Sequence, residues 1–206
     1  MVNQMDINCI FATGIGKAKA PEKLDIARKI FEENKDSFNK PSPDNSICTT
    51  LKEYHAGKSD IDLYVNMQDV DIIKRVIEKH ALDYLTSCGY ETSKTTLEVV
   101  NFWLNKMESN SFHPKHLHYG FNLSGTYYVD VPKDSGKIEF YNPENITPCG
   151  VLKVKEYTLF NSKSWSFLPE EGDILIWPST LQHGVPPVEF KGIRRSIAFD
   201  ILITGN

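Results

Sequence analysis

The second half of this sequence is a succession of short segments in which apolar and polar residues alternate. Turn-forming clusters such as residues 133–136 (KDSG) and 170–172 (EEG) separate these segments. The pattern predicts strands over residues 97–104, 125–131, 137–141, 151–160, 164–168, 173–177 and 194–203. Short strands at this density favour a β-sandwich or barrel of the jelly-roll or cupin type over a helical fold.

The first half of the sequence carries a helical pattern instead. Apolar residues recur at helical spacing after Pro21 as far as Asn34, and more strongly from Asp69 to Leu85. Residues 13–17 and 39–46 (NKPSPDNS) are expected to form loops. We expect one mainly β domain over residues 1–206, with a helical part over about 1–95 packed on one sheet of a β core over about 96–206.

Composition and charge exclude several classes of function. The chain has 23 Lys and Arg against 27 Asp and Glu, so it offers no basic surface for nucleic acid. It has no apolar run long enough to span a membrane and no secretory leader at its start, which predicts a cytoplasmic protein. Four scattered cysteines without CxxC spacing predict neither a zinc knuckle nor a redox dithiol.

Three histidines, His113, His116 and His118, fall within six residues of one another. In an extended segment His116 and His118 point to the same side, so their imidazoles can converge on one metal ion. His183, which follows a predicted strand, is a candidate third ligand. His113 is the spare histidine, and we expect it to be a loop residue before Pro114 more than a ligand.

Strand alternation selects the residues that face the interior of the predicted sandwich. In residues 194–201 the more apolar face should pack against the helices, which leaves Arg194 and Ser196 pointing into the cavity. A guanidinium there matches a carboxylate with two parallel hydrogen bonds, and Ser196 adds a donor. By the same test, one hydroxyl-rich face is expected to line the cavity and comprises Asn122, Ser124, Thr126, Tyr128 and Asp130.

Together these motifs resemble the Fe(II)/2-oxoglutarate-dependent oxygenase superfamily, in particular its small bacterial and viral branch. The resemblance covers roughly residues 103–200. It rests on His116-Leu-His118, on residues 122–129 (NLSGTYYV), 136–143 (GKIEFYNP) and 172–179 (GDILIWPS), on His183-Gly-Val, and on residues 192–200 (GIRRSIAFD).

The resemblance implies a double-stranded β-helix whose Fe(II) is held by a His-x-carboxylate pair and a distal histidine. It implies His116, His118 and His183 as the metal-binding catalytic centre. Arg194 would bind the far carboxylate of 2-oxoglutarate, with Ser196 and Tyr128 beside it and Asn122 near the metal. The implied reaction consumes O2, releases succinate and CO2, and hydroxylates a C–H bond of a peptidyl residue, an amino acid or a small metabolite, with ascorbate as a stimulating reductant.

The sequence departs from the family pattern at His118, where a carboxylate is expected. Either three histidines bind the metal, or His118 only lines the pocket and the carboxylate comes from Asp130, Asp134 or Glu139. Two other functions therefore stay open. One is a three-histidine cupin-like dioxygenase that does not use 2-oxoglutarate, and the other is a non-catalytic jelly-roll binding module.

Overall fold

The computed structural model of the protein describes residues 10–35, 67–143 and 152–205, together with residues 7, 38, 49 and 50. The helical elements are a 3₁₀ turn at Pro21–Lys23, α1 at Leu24–Glu33 and α2 at Met67–Ser87. The strands are β1 (Gly16–Lys19), β2 (Thr49–Thr50), β3 (Thr96–Met107), β4 (His113–His116), β5 (Leu123–Asp130), β6 (Ile138–Tyr141), β7 (Ser164–Phe167), β8 (Asp173–Pro178), β9 (His183–Val185) and β10 (Arg194–Thr204).

The strands form two antiparallel sheets that face each other. The larger sheet has the order β1-β8-β5-β10-β3-β2, and the smaller one has the order β4-β9-β6-β7. Tyr128 and Trp177 from the larger sheet pack against Ile138 and Phe140 from the smaller one in a shared apolar cluster. The predicted mainly β, jelly-roll architecture is confirmed.

Both helices lie on the outer face of the larger sheet, as predicted. On α1 the buried residues are Ala27, Ile30 and Phe31, and on α2 they recur every three or four residues at Val70, Ile73, Ile77, Ala81 and Leu85. They share one apolar cluster with Ile197 and Phe199 of β10. Among the described helices, none combines the length and the apolar character that a membrane crossing requires.

The N-terminal half also contributes a strand to the larger sheet. β1 pairs with β8, and Lys17 and Lys19 each place Nζ 3.0 Å from the buried carboxylate of Asp173. Part of the loop expected over residues 13–17 is therefore a strand, because a long-range partner supplies the backbone hydrogen bonds. The loop expected over residues 39–46 lies outside the described residues.

The strand predicted over residues 151–160 is wrong for the described part, residues 152–160, which forms bends and a turn. Leu152, Tyr157 and Leu159 are exposed, so the apolar side chains of the alternating pattern do not pack against the core. The segment is closed by local hydrogen bonds instead, from Thr158 N to Asn161 Oδ1 and from Ser162 Oγ to Thr158 O. Alternation alone does not make a strand where no neighbouring strand is available.

A β-bulge ends the regular alternation of β5. Ser196 pairs with Tyr128, whereas the preceding Arg195 pairs with Asp130, so Val129 is the additional residue. The bulge turns Asp130 toward α1, where its carboxylate lies 2.9 Å from Arg28 Nε and 2.8 Å from Arg195 Nε. The expectation that Asp130 lines the cavity is wrong, because an extra residue reverses the facing of every residue after it.

Candidate metal centre

Three histidines converge between the two sheets. His116 on β4 and His183 on β9 are direct partners across antiparallel strands. His118 follows two residues after His116, and its backbone N–H donates to Ser179 O at 2.9 Å. Candidate ligand atoms of the three rings all lie within 4.8 Å of one another. The arrangement offers three nitrogen ligands on one side of a metal ion.

Hydrogen bonds define which nitrogen of each ring can bind a metal. The Nδ1 atoms of His116, His118 and His183 lie 2.7, 2.7 and 2.9 Å from Pro114 O, Asp200 Oδ1 and Leu181 O, respectively. A carbonyl or carboxylate oxygen can only accept, so each Nδ1 carries the proton and donates it. Each Nε2 is left with a free lone pair, which is the form that ligates a metal. The donor set therefore fits a metal ion.

Burial keeps His183 in the neutral form. Loss of hydration lowers the pKa of His183 to about 3, and the neighbouring rings of His116 and His118 add to that effect. Burial also lowers the pKa of His116. Neutral imidazoles are ready to bind a cation without first releasing a proton.

Two tryptophans hold the rings in place. Trp103 stacks on His118 with ring centroids 5.6 Å apart, and Trp177 meets His183 edge-on at 4.8 Å. Both tryptophans line the central pocket that contains the triad. The sequence places them in the core or at its rim, and the structure shows both in direct contact with rings of the triad.

The central pocket extends from the triad to Arg194, at the beginning of β10. Arg194 is buried, and its Nη1 donates to Ser135 O at 3.1 Å and Gly136 O at 3.3 Å. Gly136 has φ +93°, a left-handed conformation that glycine adopts without strain, so the predicted turn shapes this support. Arg195 points the other way, to Glu32 at 2.8 Å. The expected inward orientation of Arg194 is present.

The pocket contains buried polar groups that lack a protein partner. Ser196 and Tyr128 line it, as predicted. Among the described residues, no hydrogen-bond partner is present for the Tyr128 hydroxyl, Trp177 Nε1 or Arg194 Nε. Burial raises the pKa of Tyr128, which keeps this hydroxyl protonated and able to donate. Three buried donors of residues that line one cavity have no partner among the described residues, and such donors are suited to a ligand that only accepts, such as a carboxylate.

Asn105 on β3 is a pocket residue that the sequence reasoning missed. It is buried, it lines the pocket, and its Oδ1 has no hydrogen-bond partner within the described part of the chain. It pairs with Ser196 across β3 and β10. Asn105 lies two residues after Trp103 on the same strand, so alternation places both side chains on one face of the sheet. This spacing could have identified Asn105 as a pocket residue.

Asn122 does not belong to the pocket. Its Oδ1 accepts a hydrogen bond from the backbone N–H of Ile203 at 2.9 Å, and its backbone bonds to Ile201 and Ser179. The prediction that Asn122 lies near the metal is therefore wrong. The residue precedes β5, where parity counted from the strand no longer fixes the direction of the side chain.

None of the three carboxylates considered as a replacement ligand is grouped with the triad among the described residues. Asp130 faces α1, Asp134 occupies a left-handed turn position with φ 63°, and Glu139 accepts a hydrogen bond from the Tyr141 hydroxyl at 3.1 Å. His113 also lines the pocket but lies outside the group of converging ligands. The carboxylate that does contact the triad is Asp200, which forms a hydrogen bond with His118.

Comparison with protein families finds a match in the second half of the chain. Residues 101–200 match the family model described as "Putative 2OG-Fe(II) oxygenase". This range contains the histidine triad and Arg194. No curated protein sequence matches the chain significantly.

Solved structures with the same fold are numerous at low sequence identity. A 2OG-Fe(II) oxygenase family oxidoreductase from Burkholderia pseudomallei superposes with a TM-score of 0.58 at 14% identity, over 92% of this chain and 84% of that one. A Pseudomonas putida prolyl-4-hydroxylase gives 0.58 at 11% identity, over 92% of both chains. HygX from Streptomyces hygroscopicus, with nickel and 2-oxoglutarate bound, gives 0.53 at 11% identity, over 92% of this chain and 82% of that one.

At these identities the structural likeness establishes the fold alone, and the family model adds the sequence relationship. Both agree with the triad and the buried arginine in one pocket. Residues 101–200 are therefore similar in sequence to the 2OG-Fe(II) oxygenase family model, and the chain shares the fold of solved 2OG-Fe(II) oxygenases.

Proposed function

We propose that this protein is an Fe(II)- and 2-oxoglutarate-dependent dioxygenase that hydroxylates a C–H bond of a peptidyl residue, an amino acid or a small metabolite, with release of succinate and CO2. The observation that carries the proposal is the single pocket that joins three histidines to a buried arginine. A metal site and a carboxylate anchor in one cavity are what an oxo acid needs in order to bind at both of its ends.

The residues that would hold Fe(II) are His116, His118 and His183, through their Nε2 atoms. Bound iron would supply the activation of O2, which no side chain of the protein provides. The protein fixes the three rings through hydrogen bonds at Nδ1 and through Trp103 and Trp177.

The residues that would hold 2-oxoglutarate at its far carboxylate are Arg194, Tyr128 and Ser196. Arg194 Nε and the Tyr128 hydroxyl are buried donors without a partner among the described residues, and an unpaired buried donor costs about 1–3 kcal/mol. A carboxylate in this position removes that cost, and the guanidinium neutralises its charge.

The substrates to assay first follow from the fold neighbours. The Pseudomonas putida neighbour is a prolyl-4-hydroxylase, so proline-containing peptides form the first panel. Free amino acids and small metabolites form the second.

The test is an anaerobic titration of apoprotein with Fe(II) and then 2-oxoglutarate, followed by exposure to oxygen with ascorbate. We expect a visible charge-transfer band when 2-oxoglutarate joins the iron, and succinate detectable by mass spectrometry. His183→Ala is the control for the metal, because it removes one ligand.

Each negative result identifies a different alternative. Iron binding without 2-oxoglutarate binding favours a three-histidine cupin-like dioxygenase. Binding of both without any succinate, or no metal binding at all, favours a non-catalytic jelly-roll module.

A further inference from the structure

A buried carboxylate lies directly behind the metal centre. Asp200 on β10 is 1% exposed. Its Oδ1 accepts from His118 Nδ1 at 2.7 Å and from Ser124 Oγ at 2.5 Å, and its Oδ2 accepts from Asn101 Nδ2 at 3.0 Å. Three hydrogen bonds hold the carboxyl group in one orientation.

Asp200 differs from the other well-buried carboxylate of the core. Asp173 lies 3.0 Å from the ammonium groups of both Lys17 and Lys19. In the described part of the chain, Asp200 forms no ion pair with a lysine or an arginine, and its ion-pair partner is His118. A buried anion without a counter-charge is costly, so the arrangement calls for a positive charge on the far side of the His118 ring.

We propose that Asp200 is a positioning residue of the metal centre, and that it supplies through His118 the negative charge that a carboxylate ligand supplies directly in a His-x-carboxylate site. This inference rests on the proposed function, because it assumes a divalent cation at the triad. Three neutral histidines and Asp200 give a bound ion the same formal charge as two histidines and a carboxylate ligand. The carboxylate lies behind the imidazole of His118 instead of binding the metal directly.

The geometry explains how the displaced charge acts. A carboxylate that accepts from Nδ1 makes Nε2 a better electron donor and fixes the ring orientation. Trp103 restrains the same ring from one of its faces, with ring planes 18° apart. Asp200 and Trp103 together restrain the His118 ring, whose candidate ligand atom lies within 4.8 Å of those of His116 and His183.

The test is anaerobic calorimetric titration of the apoprotein with Co(II), which measures metal affinity without turnover. Asp200→Asn keeps the shape of the side chain and removes its charge, and we expect a metal Kd about 10–100-fold higher. Asp130→Asn is the matched control, because it removes a carboxylate that α1 and β10 already neutralise. Its metal Kd should stay close to that of the wild type.

A charge exchange separates this role from a merely structural one. His118→Asp places a second carboxylate beside Asp200, and two adjacent carboxylates retain a proton that a metal ion has to displace, so metal binding should weaken. The double variant His118→Asp/Asp200→Asn restores one carboxylate at the site and should bind Co(II) more tightly than His118→Asp alone. This comparison holds even if Asp200→Asn by itself does not fold.

The outcomes are distinct. Wild-type affinity in Asp200→Asn, or a double variant no tighter than His118→Asp, would overturn the role of Asp200 and leave the proposed function standing. Absence of Co(II) binding by the wild-type protein would overturn both.

Discussion

Arg194 and Arg195 are adjacent in the sequence and lie on opposite faces of β10. Arg194 is buried in the central pocket, whereas Arg195 joins β10 to α1 through Glu32 and to β5 through Asp130. The first has an unpaired buried nitrogen, and the second is neutralised by two carboxylates. We therefore expect substitutions at the two positions to have different consequences.

Arg194→Ala should weaken 2-oxoglutarate binding to the metal-loaded protein by a factor of about 30 or more, since a buried charged partner is worth about 2–5 kcal/mol. Arg195→Ala should leave that affinity nearly unchanged and lower stability slightly, because its ion pairs are partly exposed. Calorimetric titration of both variants measures the ranking. The reverse ranking would contradict the assignment of the anchor.

At the scale of single residues, the sequence predicts those side-chain orientations that follow from alternation within one regular strand. Arg194, Ser196 and Tyr128 lie where parity placed them. Asp130 does not, because the bulge at Val129 depends on pairing with β10, which the sequence of β5 alone does not contain. Asp200 falls on the inward face by the same parity, but its role depends on a contact with His118, 82 residues away in the sequence.

β5 forms the centre of the larger sheet together with β10, and a close approach fixes its packing. A Cβ atom added to Gly125 would clash with the ring of Phe199 and lie 2.5 Å from Leu175 O. Phe199 is completely buried beneath the helices. Glycine at this position therefore leaves room for the Phe199 ring, which packs in the same apolar cluster as the helices.

Gly125→Ala should lower the free energy of unfolding by about 1–3 kcal/mol, because neither the β8 backbone nor the enclosed ring has room to move. Gly14→Ala is the matched control, since its added Cβ would lie 3.5 Å from the Tyr84 hydroxyl, an ordinary contact. Urea denaturation of both variants measures the difference. Equal midpoints would contradict the packing argument.

Long, strongly patterned elements were predictable, as were the short strands β6 and β7, whereas the short strands β4 and β9 were not. α2 and β10 repeat their apolar spacing over 21 and 11 residues, which is long enough to distinguish the pattern from a chance arrangement. β4 and β9 have four and three residues, and two of these seven are the metal-centre histidines His116 and His183. Such strands exist because their neighbours supply hydrogen bonds, so only the histidine spacing pointed to them.

On the scale of the whole molecule, the histidine triad and its pocket lie between the two sheets. His116 and His183 belong to the smaller sheet, whereas Asp200 and Arg194 belong to the larger one. Ligands in the central pocket would contact both sheets at once. Binding should therefore stabilise the folded state as a unit.

Metal and 2-oxoglutarate at about 100 times their Kd should each add about 2.7 kcal/mol of stability, which raises Tm by about 5–10 °C in a chain of this size. Arg194→Ala should keep the metal increment and lose that of 2-oxoglutarate. Scanning calorimetry with Ni(II) under anaerobic conditions resolves the two increments. A 2-oxoglutarate increment that survives in Arg194→Ala would place the anchor elsewhere.

The position of β10 between β3 and β5 has a consequence for how the protein is made. Both neighbours leave the ribosome earlier. β10 begins 64 residues after the end of β5, and synthesis of that length takes several seconds at about 5–20 residues per second. During that interval the nascent chain carries two apolar strands with unpaired edges, a state in which chaperones bind and aggregation begins. Arg194, Ser196 and Asp200 arrive on the strand that ends this exposure, so the protein completes its sheet and its pocket in the same step of synthesis.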